Sequence, residues 1–309
     1  MDEASGSAEN FAGLEFSALG SGSSGNASLI RSSKTAVLVD AGLSCRQIVT
    51  RLESLNQNAA DLDGILITHE HTDHTKALAV FAKRFPDVPV YACKATRRVI
   101  GEKVETPIDW KIIQRGTSFT LGELEVSSFA VPHDAVDPVG FVLRKAEVAF
   151  GVLTDVGHIT TAIRDQLIGV QGLFLEANYD EGLLEADTIR PWGVKQRIAG
   201  QHGHLSNEQA RDLVMNLAES GLRSVVCGHL SSDCNQPERA IEVLQKGLAN
   251  IAASISIIVS GRAAPTPLTR IEREECPIPS AASESPLERT DSSLPRVAPD
   301  AVQGELFPA

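Results

Sequence analysis

Gly64-Ile65-Leu66-Ile67-Thr68-His69-Glu70-His71-Thr72-Asp73-His74 joins an apolar run to three imidazoles, with Asp73 among them. The run through Ile67 reads as a buried strand, and Asp73-His74-Thr75-Lys76-Ala77-Leu78 opens a helix. In the turn between them, His69 and His71 point the same way, because side chains two apart share a face of extended chain. Asp73 and His74 aim at a neighbouring point. One short loop can therefore serve two divalent ions roughly 3.5–4 Å apart, the usual separation in two-metal hydrolytic sites. Imidazole suits Zn, Mn, Fe or Co, and a carboxylate adds an oxygen ligand and compensating charge. The plainer alternative, a polar turn with incidental histidines, fits one His better than three.

The pattern His-x-His-x-Asp-His after a buried strand resembles the signature loop of the metallo-β-lactamase fold. That resemblance implies a distant His for the first ion, a bridging Asp, and a late His for the second. Candidates stand in that order. Val131-Pro132-His133-Asp134 follows a strand pattern, Phe150-Gly151-Val152-Leu153-Thr154-Asp155 is an apolar run ending in a carboxylate, and Ser224 to Gly228 lead into His229. The implied ligand sets are His69, His71 and His133 for one ion and Asp73, His74 and His229 for the other. Asp155 would lie between them, and Asp73 doubles as a candidate proton acceptor. The implied architecture is an α/β fold, an αββα sandwich.

All eight histidines fall between positions 69 and 229. His204 stands in Gly203-His204-Leu205-Ser206-Asn207, just before a helix at which Ser206 and Gln209 form a capping-box pattern. It is read as a proton donor to the leaving oxygen, a phosphate contact or an alternative ligand, against a plain backbone-bonded loop histidine. Ser206 and Asn207 are candidate substrate contacts, since free N–H groups and the dipole at a helix start favour anions. His158 is the second candidate proton donor, and His202 has no assigned role. Near the N-terminus, Gly20-Ser21-Gly22-Ser23-Ser24-Gly25-Asn26 is a glycine-rich turn before a strand, which makes Ser24 and Asn26 further candidate substrate contacts.

The 309 residues, 42% of them apolar, suffice for a full two-layer core. Strand and helix patterns alternate from residue 14 to 262, with antiparallel hairpins between Phe119 and Leu153. Residues 1–13 read as a flexible N-terminus. Residues 263–309 gather Pro, Ser, Ala and Glu without apolar periodicity and read as a disordered tail. Five cysteines without paired metal spacing suggest free thiols. The start lacks a signal-peptide pattern, and no apolar run reaches membrane-spanning length, so the expectation is a cytoplasmic protein with no membrane partner.

The glycine-rich turn, the His69 loop, Val131-Pro132-His133-Asp134-Ala135, Gly203-His204-Leu205-Ser206-Asn207 and His229-Leu230-Ser231-Ser232-Asp233-Cys234-Asn235 together resemble the YycJ/WalJ-type branch of this fold, over roughly residues 14 to 262. One departure is Ser232-Asp233-Cys234, where the branch is expected to be more basic. The resemblance implies a two-metal DNA exonuclease associated with mismatch repair. Zn or Mn would activate a hydroxide for attack on phosphorus. At the C-terminus, Gln303-Gly304-Glu305-Leu306-Phe307 resembles the short peptide with which bacterial repair proteins dock on the DNA sliding clamp. Gln303 would supply a hydrogen bond, while Leu306 and Phe307 fill an apolar pocket.

A net charge of −12 runs against a protein that grips DNA through its own surface. Lys94, Arg97, Arg98 and Lys103 cluster on one helix pattern, and Arg190, Lys195 and Arg197 precede His204. Both groups are candidate backbone contacts or plain solvated faces. A small-molecule metallohydrolase acting on a thioester, lactone or cyclic phosphodiester needs the same metal centre and is the alternative enzyme. A clamp-tethered adaptor with structural metals is the non-enzymatic one, disfavoured because the ligand set lacks cysteine.

Overall fold

The computed structural model describes residues 11–251 and 254–273. The first sheet is built from β1 (Leu14–Gly20), β2 (Ala27–Arg31), β3 (Ala36–Val39), β4 (Gly64–Leu66), β5 (Val90–Cys93) and β6 (Trp110–Ile113), with helices α1 (Cys45–Ser54), α2 (Thr72–Thr75), α3 (Leu78–Arg84) and α4 (Lys94–Gly101) in its connections. The second contains β7 (Ser118–Leu121), β8 (Leu124–Ala130), β9 (Val139–Lys145), β10 (Val148–Leu153), β11 (Gly172–Glu176), β12 (Ser224–Gly228) and β13 (Ser256–Val259), with α5 (Thr161–Leu167), α6 (Glu181–Ala186), α7 (Trp192–Ile198), α8 (Asn207–Ala218) and α9 (Pro237–Leu248) between them. The last strand, β14 (Thr269–Ile271), returns to the first sheet.

Strand orders are β14-β1-β2-β3-β4-β5-β6 and β13-β12-β11-β10-β9-β8-β7. Each sheet is antiparallel on one side and parallel on the other: β3 to β6 run parallel, as do β10 to β13. Strands buried on both faces explain the near-continuous apolar runs in the sequence. Val37 and Val39 of β3 face the space between the sheets, while Ala36 and Leu38 face helices. In β10, Val148, Phe150 and Val152 point inward, and Ala149 and Leu153 pack on the outer layer with α5 and α8. The architecture is the expected αββα sandwich.

Past residue 262 the chain still takes part in the sheet. β14 pairs antiparallel with β1, Leu14 opposite Ile271, and Ile271 is buried between the sheets. A strand of three residues is too short to show periodicity, so the proline-rich composition around it masked it. The remainder of the expected tail, with Gln303, Leu306 and Phe307, lies outside the described residues, as do residues 1–10 of the expected flexible N-terminus. Cys45, Cys93, Cys227 and Cys234 are buried free thiols.

The inter-sheet seam centres on Phe150, fully buried, with Phe16 stacked on it at 4.4 Å between ring centroids and Phe174 beyond Phe16 at 5.5 Å. Phe150→Ala should cost about 3–5 kcal/mol through lost contacts and the cavity left behind. Chemical denaturation would measure it, and a loss under about 1 kcal/mol would show that the seam repacks.

Candidate metal centre

The chemistry-bearing side chains gather at the C-terminal ends of strands, where an open parallel sheet places its ligand sites. Asp40 follows β3, the His69–His74 loop follows β4, His133 follows β8, and Asp155, Glu176 and His229 terminate β10, β11 and β12. His204 arrives on the loop before α8. Asp40, Asp155 and His229 all have positive φ, +61°, +52° and +55°. For residues with a side chain this conformation is uncommon and strained, and it clusters at functional sites.

Four overlapping groups of donors have atoms within 4.8 Å of one another: His69, His71 and His133; His69, His74 and Asp155; Asp73, His74 and His229; and Asp155, Glu176, His204 and His229. All seven expected ligands are thus brought together. Their orientation is fixed by what the other ring nitrogen touches. His133 Nδ1 lies 3.1 Å from the Gly203 carbonyl, His74 Nδ1 2.7 Å from Asp40 Oδ2, and His229 Nδ1 2.8 Å from Glu176 Oε1. A carbonyl or ionised carboxylate only accepts, so each Nδ1 carries a hydrogen and Nε2 is turned inward, where it can ligate once deprotonated. Thr68 donates to Asp40, and its hydroxyl oxygen stands 3.0 Å from His69 Nδ1, orienting that ring in the same way.

The inward nitrogens then face one another or carboxylates. His69 Nε2 is 3.0 Å from His71 Nδ1, and His74 Nε2 is 3.1 Å from Asp155 Oδ2. His133 Nε2 and His229 Nε2 are buried without a well-formed hydrogen bond among the described residues, the nearest carboxylate oxygens lying 3.8 Å away on Asp155 and 3.5 Å away on Asp73. Buried polar atoms left in this way are costly, and a cation in their midst removes the cost. The donor set therefore fits divalent metal: nitrogen and oxygen ligands, with imidazoles held by outer carboxylates.

Protonation shows the same strain. Burial disfavours the charged form of His229, but Asp155, with Asp73 and Glu176, outweighs it and lifts the imidazole to about 10. Burial likewise opposes charge on His74, and Asp155 and Asp40 override it, raising it well above the usual value. His204 is raised against its own burial by Glu176. In His69 and His133 burial prevails and lowers both. Burial works against ionisation of Asp155, yet the His229 and His74 charges hold its carboxyl well below the ordinary range. Asp73 is low for the same reason, burial being outweighed by His229 and His74 beside it.

Glu176 and Asp40 were not singled out in the sequence. Glu176 Oε1 receives both His204 Nδ1, at 2.7 Å, and His229 Nδ1, while Oε2 accepts from Val156 N. Each residue ends an apolar strand run, as Asp155 does, so a carboxylate closing a buried strand was the available signal. Ser21 was also passed over: its hydroxyl accepts from His229 N at 2.7 Å and donates to Asn26 Oδ1.

The expected substrate contacts fare differently. Asn26 is buried and spends its amide inside the site, 3.3 Å from Asp73 Oδ2 and 3.1 Å from His74 Nε2. Ser206 and Asn207 are fully buried: Ser206 caps α8 and donates to Glu181, and Asn207 exchanges amide hydrogen bonds with Asn235. All three therefore position neighbours instead of facing a ligand. Ser24 is exposed on the turn. His158 is tied through Nδ1 to the Gln201 carbonyl, and His202 is exposed. Arg190 is engaged by Asp187 and Asp233, and Lys195 by the Glu185 carbonyl, whereas Arg197 stays largely exposed at the mouth, 3.4 Å from Asp134. A 440 Å³ cavity there is lined by His133, Asp134, Ala135, Arg197 and His202.

Known proteins bear on this arrangement. A family described as "Beta-lactamase superfamily domain" matches residues 35–229. The chain is 33% identical over 267 residues to "Exodeoxyribonuclease WalJ" of Streptococcus pneumoniae serotype 2 (strain D39 / NCTC 7466), covering 84% of this chain and 98% of that protein. It is 34% identical over 230 residues to "Exodeoxyribonuclease YycJ" of Bacillus anthracis, covering 74% and 86%. Among solved structures, the metallo-beta-lactamase fold protein YhfI from Bacillus subtilis superposes with a TM-score of 0.63 at 14% identity, over 82% of this chain and 98% of that one.

Metal ligands must be neutral imidazoles, and His74 and His229 are raised in the free protein, so metal competes with protons. Loading a divalent ion at pH 7 should release protons, and affinity should rise steadily from pH 6 to pH 9 (about tenfold per proton displaced per pH step). Calorimetric titration in two buffers of different protonation enthalpy would detect the release; identical heats in both would contradict it.

Proposed function

This chain belongs to the β-lactamase superfamily, and from that membership we propose that it is a metal-dependent exodeoxyribonuclease. The carrying observation is the near-full-length likeness to two exodeoxyribonucleases in a chain whose donor cluster fits divalent metal. His69, His71 and His133 would hold one ion, and Asp73, His74 and His229 a second, with Asp155 shared; Zn and Mn both suit this set. Bound divalent ions supply Lewis acidity, bringing the pKa of water toward neutrality and offsetting charge that develops on the phosphate.

The chain's own residues do the rest. Asp73 is ionised and a quarter exposed, so its carboxylate can take a hydrogen bond from the attacking water and orient it, although its depressed pKa makes it a weak proton acceptor. Glu176 holds His204 by Nδ1, which turns Nε2 away from the carboxylate. Against burial, Glu176 raises the pKa of this imidazole, which favours the protonated ring, and the Nε2 proton is the one His204 would donate to the departing oxygen. Arg197 at the mouth is placed to meet a phosphate. Among the described residues no helix is long and apolar enough to cross a membrane. A place in DNA mismatch repair, in the cytoplasm, is part of the same proposal.

With end-labelled DNA and added Mn²⁺ or Zn²⁺, the native chain should shorten its substrate progressively. His69→Ala or Asp155→Ala should abolish this, and His204→Ala should slow it about 10²–10⁴-fold with metal content retained. Hydrolysis of a small ester or lactone, with DNA left intact at full metal occupancy, would replace the reading with a small-molecule hydrolase.

We further propose that Gln303-Gly304-Glu305-Leu306-Phe307 docks on a bacterial sliding clamp. Two apolar side chains beside a hydrogen-bonding glutamine suit such an anchor. Purified clamp should bind the full chain and lose it on Leu306→Ala/Phe307→Ala; equal retention of both would dismiss the anchor.

A further inference from the structure

A cluster of three cations lies one loop away from the metal centre and is not part of it. Helix α4 begins directly at the end of β5 and packs along β6, the edge strand of the first sheet. Lys94, Arg97 and Arg98 stand at helical positions i, i+3 and i+4, so they share one face, while Thr96 and Ile100 take the buried one. All three cations are exposed, and none has an ion-pair partner among the described residues. Opposite them, Trp110 and Ile112 alternate onto one face of β6, and Ile112 is 54% exposed. Together these side chains line a cavity of 660 Å³.

The carboxylate in the lining, Asp137, does not neutralise them, because Arg115 already pairs with it at 2.8 Å. On a chain of net charge −12, three unpaired cations sharing a cavity with a half-buried indole form a local reversal of sign. Its position is informative. His133, Asp134 and Ala135 line the cavity at the metal centre, and Asp137 lines this one. A single loop therefore separates the two. That loop is braced on the metal-binding turn, with Val136 N donating to Glu70 Oε1 and Val139 N to the Thr68 carbonyl. Four peptide steps from His133 to Asp137 span at most about 15 Å.

We propose that this cavity holds the undigested part of the substrate strand: single-stranded DNA, with phosphates on Lys94, Arg97 and Arg98 and a base stacked on Trp110, running across the Val136 loop into the metal centre. The inference rests on the exonuclease reading above and gives that site its substrate path. Cations that track a backbone beside an aromatic platform are how proteins hold single strands without regard to sequence. A duplex presents no unstacked base to Trp110, so a single strand is the occupant that uses every part of the lining.

The test uses the full metal-loaded chain and a short fluorescein-labelled phosphorothioate oligodeoxythymidylate that resists cleavage, with digestion of the ordinary oligonucleotide followed in parallel. Arg97→Glu/Arg98→Glu should weaken binding about tenfold or more and reduce the slope of log K against log salt by about 1.4, two single-strand phosphate contacts. Trp110→Ala should weaken it roughly 5- to 100-fold, with Trp110→Phe restoring most of the loss because the ring still stacks. Lys246→Glu, a single charge reversal on α9 in the outer layer of the second sheet, serves as the control and should stay within about twofold of the native chain. Native digestion of DNA together with a double variant that binds as tightly as the control would overturn the cavity and leave the exonuclease reading standing. Failure of the native chain both to bind and to digest DNA would overturn the two together, and tighter binding of RNA of matched sequence would remove DNA as the occupant.

Discussion

Four imidazoles around the metal centre have one nitrogen committed to an acceptor outside the cluster, and that commitment decides where the other one points. Asp40 takes His74, Glu176 takes His204 and His229, and the Gly203 carbonyl takes His133. Without these outer acceptors the rings could present either nitrogen to the centre, and the lone pairs would not converge. The arrangement is unfavourable in an isolated chain, since burying charge and unpaired donors costs several kcal/mol per group in general. The raised imidazoles and depressed carboxylates record that cost: protons occupy the positions that suit cations. The rest of the fold supplies the frame that keeps the cluster from relaxing.

That frame joins the two sheets at the site as well as at the aromatic seam. Ser21 and Asn26, on the turn between β1 and β2, reach His229 from the second sheet and Asp73 and His74 from the first. Gly42 completes the junction, because a Cβ there would fall 1.5 Å from the Asp73 carbonyl oxygen. The glycine-rich turn, whose composition resembles a phosphate cradle, is thus a clamp between halves. Its small residues permit close approach of backbone instead of contact with a ligand.

Much of this was legible in the chain. The His69–His74 loop states its chemistry locally, because ligands two and five residues apart need only a strand end and a helix start to converge. His133, Asp155 and His229 were legible through their placement after apolar runs, read against a known order. Asp40 and Glu176 end similar runs, but their partners lie 34 and 53 residues away, and no local pattern records such a pairing. Ser206 and Asn207 carry a helix-start signature that does not reveal burial, so the same residues suit an anion site or an internal cap. β14 was hidden for a related reason: three residues gain their strand identity from β1, not from their own sequence.

The charge balance takes a different meaning once positions are known. A net −12 disfavours diffuse attraction to a polyanion, and screening limits exposed charges to about 8–10 Å in any case. What matters for a strand entering the site is the field within that distance. There, Arg190 is cancelled by Asp187 and Asp233, and Arg115 pairs with Asp137. Lys94, Arg97 and Arg98 escape such cancellation because their helix face looks onto an edge strand whose outward residues there are Trp110 and Ile112. Removing acidic residues from one small wall creates a positive path without altering the sign of the whole molecule. Weak overall attraction with a strong local one favours a strand end already threaded to the centre over a duplex gripped along its length.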